Sequence, residues 1–431
     1  MKMANFNVTD ANSLNNAVQS AAAGDTINVM NNISLDGDGS GFQGTIVVPA
    51  VPGTAVLMIQ SSGGPYTITS ATPNQRHFIN YGYLTLQNIT LDGGNAGGGV
   101  QVSYDQPNMD TQTNLLGGCV VQNCVTTTTG GAGVQIQTAN AINGGYNGGT
   151  AEAMFDGCTI QNNHQRTPTV AGGGIWLSGA SVTATMNNIN GPTTVSGNTA
   201  QWSGGGIVVN SGSTLTIDNG TIENNLAALH GGGIDMFNGA LSTAPPATVV
   251  LNNALIMGNQ AGATVDGITN PLPTPSGGSN GSGGGVAVEE YNVFTMNGGT
   301  IQNNTAVLNG GGISAMLNSN LTITGGSGWP PSTPTLPNPP ANGEPVIVAN
   351  TANTNGGGVS VGTLSDGSAY SGSQTPPTAT ANMTNTLIWN NTADADGGGL
   401  HVCDAAQATV TSSLFEANIA QNNGGAYYVM T

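Results

Sequence analysis

The chain is poor in positive charge: three Lys and Arg stand against 21 Asp and Glu in 431 residues, a net charge of -18. Nucleic acid is excluded as a partner, because phosphate neutralisation needs clustered cations, and so is an anionic membrane surface. Trypsin-like proteases have little to cut. Four Cys in this length exclude a disulfide scaffold. Apolar runs fall far short of a bilayer span, which predicts no membrane-spanning helix. The opening "MKMANFNVTDANSLNNAV" lacks the apolar centre of a secretory signal. Aromatics are 5% of residues, too sparse for a broad sugar-stacking platform.

Repetition fills the space left by these absences. Asn198, Asn225, Asn304, Asn350 and Asn391 each stand eight residues before the last glycine of a Gly triplet, at Gly206, Gly233, Gly312, Gly358 and Gly399. Asn418 stands eight before Ala426, where Ala replaces the third glycine. Between the closest triplets the period is 27 residues, Gly206 to Gly233 and Gly285 to Gly312. Longer spacings come from Pro-, Gly- and Ser-rich insertions such as residues 262–282 and 326–345, which read as loops.

Within one unit the pattern alternates. Apolar pairs such as Ile207 and Val209, or Ile234 and Met236, follow the triplet, which marks a half-buried strand. A second strand follows in "LTIDN" and "LTITG", and a third apolar position precedes the Asn by three residues, as at Ile222, Ile256 and Ile347. Three short strands in about 27 residues make one coil, which buries its inward face only by stacking on the next. The fold class is therefore all-β: a right-handed parallel β-helix solenoid, its hand taken from the general rule for parallel connections. We expect one domain over 1–431, with an N-terminal cap and first strand in 1–30 and stacked coils over 31–431. Leu14, Ala17, Val18 and Ala21 share one face of a short helix fit to cover the first coil. The last residues, "GGAYYVMT", break off in mid-coil, which leads us to expect a longer chain or stacking on another molecule.

The repeated Asn and Gly are structural in this reading: asparagines tolerate left-handed corners and hydrogen-bond to their copies above and below, while glycines allow close approach of backbones. A phosphate-cradling loop is excluded because no helix follows the triplets.

The motifs "GGGI", at Gly172 to Ile175, Gly204 to Ile207, Gly231 to Ile234 and Gly310 to Ile313, and "FEAN", Phe415 to Asn418, resemble the "GGAI" and "FxxN" repeats of bacterial polymorphic outer-membrane and adhesin-like proteins. These belong to the pectate-lyase-like β-helix superfamily, and the resemblance covers nearly the whole chain. It implies an exported protein, extracellular or at a bacterial cell surface, that works by adhesion or as a structural element. The outer-membrane type carries a C-terminal barrel that has no counterpart here.

Candidate chemistry is thin. The outward positions after the triplets include one acid, Asp235, and one histidine, His401, which the repeat count puts about six coils apart. Arg76 and Arg166 are the two guanidinium groups, read as surface pairs or carbonyl ligands. Glu289 and Glu290 are expected on opposite faces of a strand, and Asp394 and Asp396 at a corner. "DGDGSG" resembles half of a calcium loop, with Asp36, Asp38 and Ser40 as the candidate ligands, although Val47 stands where the twelfth-position Glu belongs. Cys119 and Cys158 align in consecutive coils, a buried thiol ladder rather than a disulfide or metal site, and Cys124 falls on an Asn position. Thr216, Thr295 and Thr322 recur in the second strand, but Val250 interrupts the array that ice binding would need. The functional expectation is a non-enzymatic structural or adhesive protein without cofactor beyond that calcium candidate, self-assembling into filaments or matrix or binding a surface glycan or protein. The alternative is a polysaccharide lyase or glycoside hydrolase, which requires Asp235, Glu289 or Asp266 to converge with Arg166 or a histidine.

Overall fold

The structure is a computed structural model, and it describes residues 3–50, 56–103, 110–138, 149–237, 245–267, 281–326, 344–363, 378–403 and 405–430. Its strands stack into four all-parallel sheets of 13, 12, 9 and 12 strands. One coil shows the plan: Thr214–Asp218 lies in sheet I, Thr221–Glu223 in sheet II, Leu226–Ala227 in sheet III and Ile234–Phe237 in sheet IV, after which Thr248–Asn252 returns to sheet I one level up. This is a parallel β-helix solenoid, as the periodicity predicts. Where three strands per coil were expected, a fourth appears: the two residues after each ladder Asn, such as Thr199–Ala200, pair as sheet III. Two residues give no alternation to read, so the pattern concealed it.

The core is a column of inward side chains. In that coil Leu215, Ile217, Ile222, Ile234 and Met236 are fully buried, and the in-register pairs Ile207↔Ile234 and Val195↔Ile222 stack like on like. A single coil has no partner for this stripe, so its burial depends on both neighbours.

Helix Ala11–Ser20 covers the first coil with Ala11, Leu14, Ala17 and Val18 buried and Ala21 packed beside them. Its start is closed by a reciprocal capping box in which Asp10 accepts from Ser13 N at 2.8 Å and Ser13 Oγ accepts from Asp10 N at 3.2 Å. Two further first-turn N–H groups are satisfied from the next coil: Ala11 N donates to Asp38 Oδ2 at 2.8 Å and Asn12 N to Ser40 Oγ at 3.1 Å. Asp38→Ala is expected to lower the unfolding free energy by about 1 kcal/mol, measured by urea denaturation, with increased hydrogen exchange confined to the first helical turn.

Candidate functional site

The most extended polar feature is a chain of asparagines, buried from Asn163 through Asn198, Asn225, Asn259, Asn304 and Asn350 to Asn391 and ending at the half-buried Asn418. At Asn225, Oδ1 accepts from Asn198 N at 2.9 Å and from Asn198 Nδ2 at 3.0 Å. Its own Nδ2 donates to Val195 O at 3.0 Å and to Asn259 Oδ1 at 2.9 Å. Both donors and both lone pairs of the amide are thereby used inside the solenoid. Cys124 N donates to Asn163 Oδ1 at 3.0 Å, so the thiol residue begins the ladder where an Asn would otherwise stand.

Two members, Asn163 and Asn259, lie outside the triplet spacing by which the sequence marks the others. The apolar residue three positions earlier, Ile160 and Ile256, is the signal that finds them. The left-handed corner also needs correcting. It is carried by the residue before each ladder Asn, among them Asn162, Asn224, Asn303 and Asn390 at φ of 53°, 55°, 54° and 52°, and not by the ladder Asn itself.

The triplets do two separate jobs. Gly204 turns the chain at φ +67°, which brings it back over the outer face of its own sheet IV strand, where an added Cβ would lie 2.1 Å from Val208 Cγ2. At Gly206 a Cβ would lie 2.6 Å from the Gly233 carbonyl oxygen in the next coil. The turn-back explains a finding that alternation hides: from Val208 to His401 the outward residues of sheet IV are roofed. Val208, Asp235, Ala287, Ser314, Ser360 and His401 are all buried. Asp235 and His401 are four strand spacings apart, not six, or about 19 Å, still beyond proton transfer.

Beneath that roof sits a carboxyl pair. Glu289, in the turn after Val286–Val288, is buried beside Asp235, and neither carboxyl oxygen of Asp235 has a hydrogen-bond partner. Because Ala287 pairs with Asp235 in register, Glu289 belongs to the next coil. Burial pushes the Asp235 carboxyl up to about 8, and burial with the Asp235 charge holds Glu289 well above the usual carboxylate range. Glu290, at φ +44°, lies beyond the strand, so the opposed-face geometry expected of the two glutamates does not arise.

The two arginines take different roles. Arg76 is buried, donating to the carbonyls of Gly131, Ala132 and Gly130 at 2.7, 3.1 and 3.1 Å and to Thr129 Oγ1 and Gln135 Oε1 at 3.0 Å each. Burial lowers its pKa to about 10, which leaves it charged at neutral pH. Arg166 Nε forms an exposed ion pair with Asp266 Oδ2 at 3.0 Å. His164 stands close enough to feel both charges, its pKa lowered first by burial and then by Arg166. Arg166→Ala is expected to cost under about 1 kcal/mol in a thermal melt, since exposed pairs are screened.

The calcium-loop candidates are not brought together. Asp36 accepts from Ala71 N at 2.7 Å, Thr72 N at 2.8 Å and Thr72 Oγ1 at 2.8 Å, while Asp38 and Ser40 face the helix start. Hydrogen bonds to Ser40 and Ala11 hold the Asp38 carboxyl below its ordinary range. Among the described residues no three His, Cys, Asp or Glu gather as a metal set. Asp394 accepts from Gln421 Nε2 at 2.9 Å and Asp396 from Asn423 at 3.0 and 2.8 Å, links between successive coils.

All four cysteines are free of disulfides. Burial pushes the Cys119 and Cys124 thiols up to about 11 and 12 and Cys158 well above its usual value. Cys403 Sγ lies 3.6 Å from His401 Nδ1, and the His401 ring stacks on Tyr428 at 5.8 Å between centroids. The outer column of sheet I reads Thr185, Thr216, Val250, Thr295, Thr322, Asn382 and Thr409 in register. Trp329 and most of the two insertions named above lie outside the described residues.

No protein-family model matches this chain, and no curated protein matches its sequence. Among solved structures it is similar to a PL6 family polysaccharide lyase, Pedsa3628 from Pseudopedobacter saltans. The identity is 14% and the TM-score 0.31, over 98% of this chain and 92% of that one. A likeness at that score carries nothing about activity. No helix among the described residues is long and apolar enough to cross a membrane.

Proposed function

We propose that the chain, as one solenoid unit over 1–431, is a non-enzymatic structural or adhesive protein of the extracellular space or cell surface, displaying recognition loops from a stiff rod. One observation carries this reading. Several coils pass from sheet IV to sheet I in three residues, for example Asn210 to Thr214 and Ser178 to Val182. Four others insert longer stretches at the same corner, after Ser103, Gln137, Phe237 and Thr363. Folding does not require the extra length, and loops held at one edge of a rigid scaffold are where binding residues concentrate. Filament formation through the rod's ends is the subordinate reading. The helix over the first coil and the charge of -18 both oppose simple head-to-tail stacking.

The test is to replace residues 139–148 and 364–377 with the short corner Ser211-Gly212-Ser213, then compare binding to glycan arrays and to bacterial and host cells. We expect the melting temperature to hold within a few degrees and binding to be lost. Undiminished binding by the shortened rod would contradict the proposal. The lyase or hydrolase alternative is favoured by one observation, the meeting of Arg166, Asp266 and His164. It predicts cleavage products in a polysaccharide screen that disappear with Arg166→Ala.

A further inference from the structure

Asp235 and Glu289 form the one buried carboxyl pair among the described residues that links two coils, and its surroundings supply no counter-charge. Asp235 is 0% exposed, and neither of its carboxyl oxygens receives a hydrogen bond from an N–H or hydroxyl group. It is flanked in register by apolar Val208 and Ala287. Gly231 roofs it so closely that an added Cβ would lie 2.5 Å from Asp235 Cβ. Glu289 is 7% exposed, and its N–H donates to Met236 O at 2.9 Å, which pins it beside the Asp235 strand. The other charged group acting on the pair is Glu290, from the same turn; His230, in the roofing turn, accepts from Ser282 N at 3.2 Å through Nδ1. Arg76 and Arg166 are committed elsewhere.

Two ionised carboxylates cannot be held together without a donor, a cation or water. We propose that Asp235 and Glu289 share a proton, forming a clasp between successive coils that is closed in acidic and neutral solution and opens in alkaline solution. The proton sits between a carboxyl oxygen of each residue, so one group donates and the other accepts. Loss of that proton leaves two like charges under one roof, and they separate at the turn of residues 289–292, which joins sheet IV to sheet I. The sign follows from linkage. Carboxyls that hold protons more tightly when folded confer stability that is complete below the unfolded carboxylate range and is lost as pH rises through their folded values.

Wild type, Asp235→Asn and Glu289→Gln are to be melted from pH 4 to pH 9, with hydrogen exchange of residues 286–296 followed by mass spectrometry. The wild-type melting temperature is expected to fall as pH rises from the unfolded carboxylate range to about 8, and to level off above it, while exchange at 289–292 rises as the proton is lost. Asp235→Asn, which supplies a permanent donor to Glu289, should flatten both trends. An unchanged pH slope in Asp235→Asn would overturn the clasp. Should either variant fail to fold, infrared spectroscopy of wild type at pH 7 decides: a protonated-carboxyl band that vanishes by pH 9 supports it, and no such band overturns it. Calcium arms separate the rival explanation. Calcium restoring alkaline stability to wild type but not to Asp235→Asn would make the pair a cation site and overturn the shared proton.

Discussion

Asn225→Ala is expected to lower the unfolding free energy by about 5 kcal/mol. The substitution deletes both hydrogen bonds donated by Asn225 Nδ2 and both accepted by its Oδ1. The Asn198 N–H and the Asn198 Nδ2 group then lose acceptors in a place where both are fully buried. A buried donor left without a partner costs about 1–3 kcal/mol, and each lost neutral hydrogen bond about 1 kcal/mol. Water cannot easily repair the gap, because Asn198, Asn225 and Asn259 are all buried. Urea denaturation followed by circular dichroism measures the loss. In a solenoid the damage is also local, so the transition should broaden or split as the coils on either side of residue 225 unfold separately.

Gly206→Ala is expected to cost at least about 3 kcal/mol for a single methyl group. The added Cβ would stand 2.6 Å from the Gly233 carbonyl oxygen and 3.0 Å from Asn225 Nδ2. Neither neighbour is the free end of a flexible side chain: one is backbone, the other a ladder amide held by four hydrogen bonds. The coils must therefore move apart, and overpacking of that kind costs roughly 1–3 kcal/mol before any hydrogen bonds stretch. Gly326→Ala serves as the control. A Cβ there meets nothing within 4 Å, so its melting temperature should match wild type.

These two substitutions touch the residues the sequence displays most openly, and that is why the architecture was legible. A coil that stacks on near-copies of itself must repeat its core, its amide and its glycines at one spacing, and insertions elsewhere in the coil do not disturb it. The legible part ends where side-chain placement depends on a neighbouring turn. Alternation marks Asp235 and Ser314 as outward, and it is correct about direction, but the first glycine of each triplet folds the chain back across that face and buries it. The carboxyl pair was hidden for the same reason: Asp235 and Glu289 are 54 residues apart, and only the register Asp235↔Ala287 brings them together. "DGDGSG" misleads differently. Asp38 and Ser40 supply acceptors to helix N–H groups, and a carboxylate suited to calcium is equally suited to a helix start. Insertion lengths are legible in the sequence, but what the inserted residues recognise is not, because they follow no repeat.

The most direct test of the central claim, that the repeated Asn and Gly serve the rod rather than a ligand, is side-chain amide exchange in protein labelled with ¹⁵N at asparagine. The account predicts slowly exchanging Nδ2 protons for Asn198, Asn225, Asn259, Asn304 and Asn350, unchanged when any ligand found for the loops is added. Exchange of these amides at free-asparagine rates while the neighbouring strands stay protected would contradict it, as would protection that appears only on ligand binding.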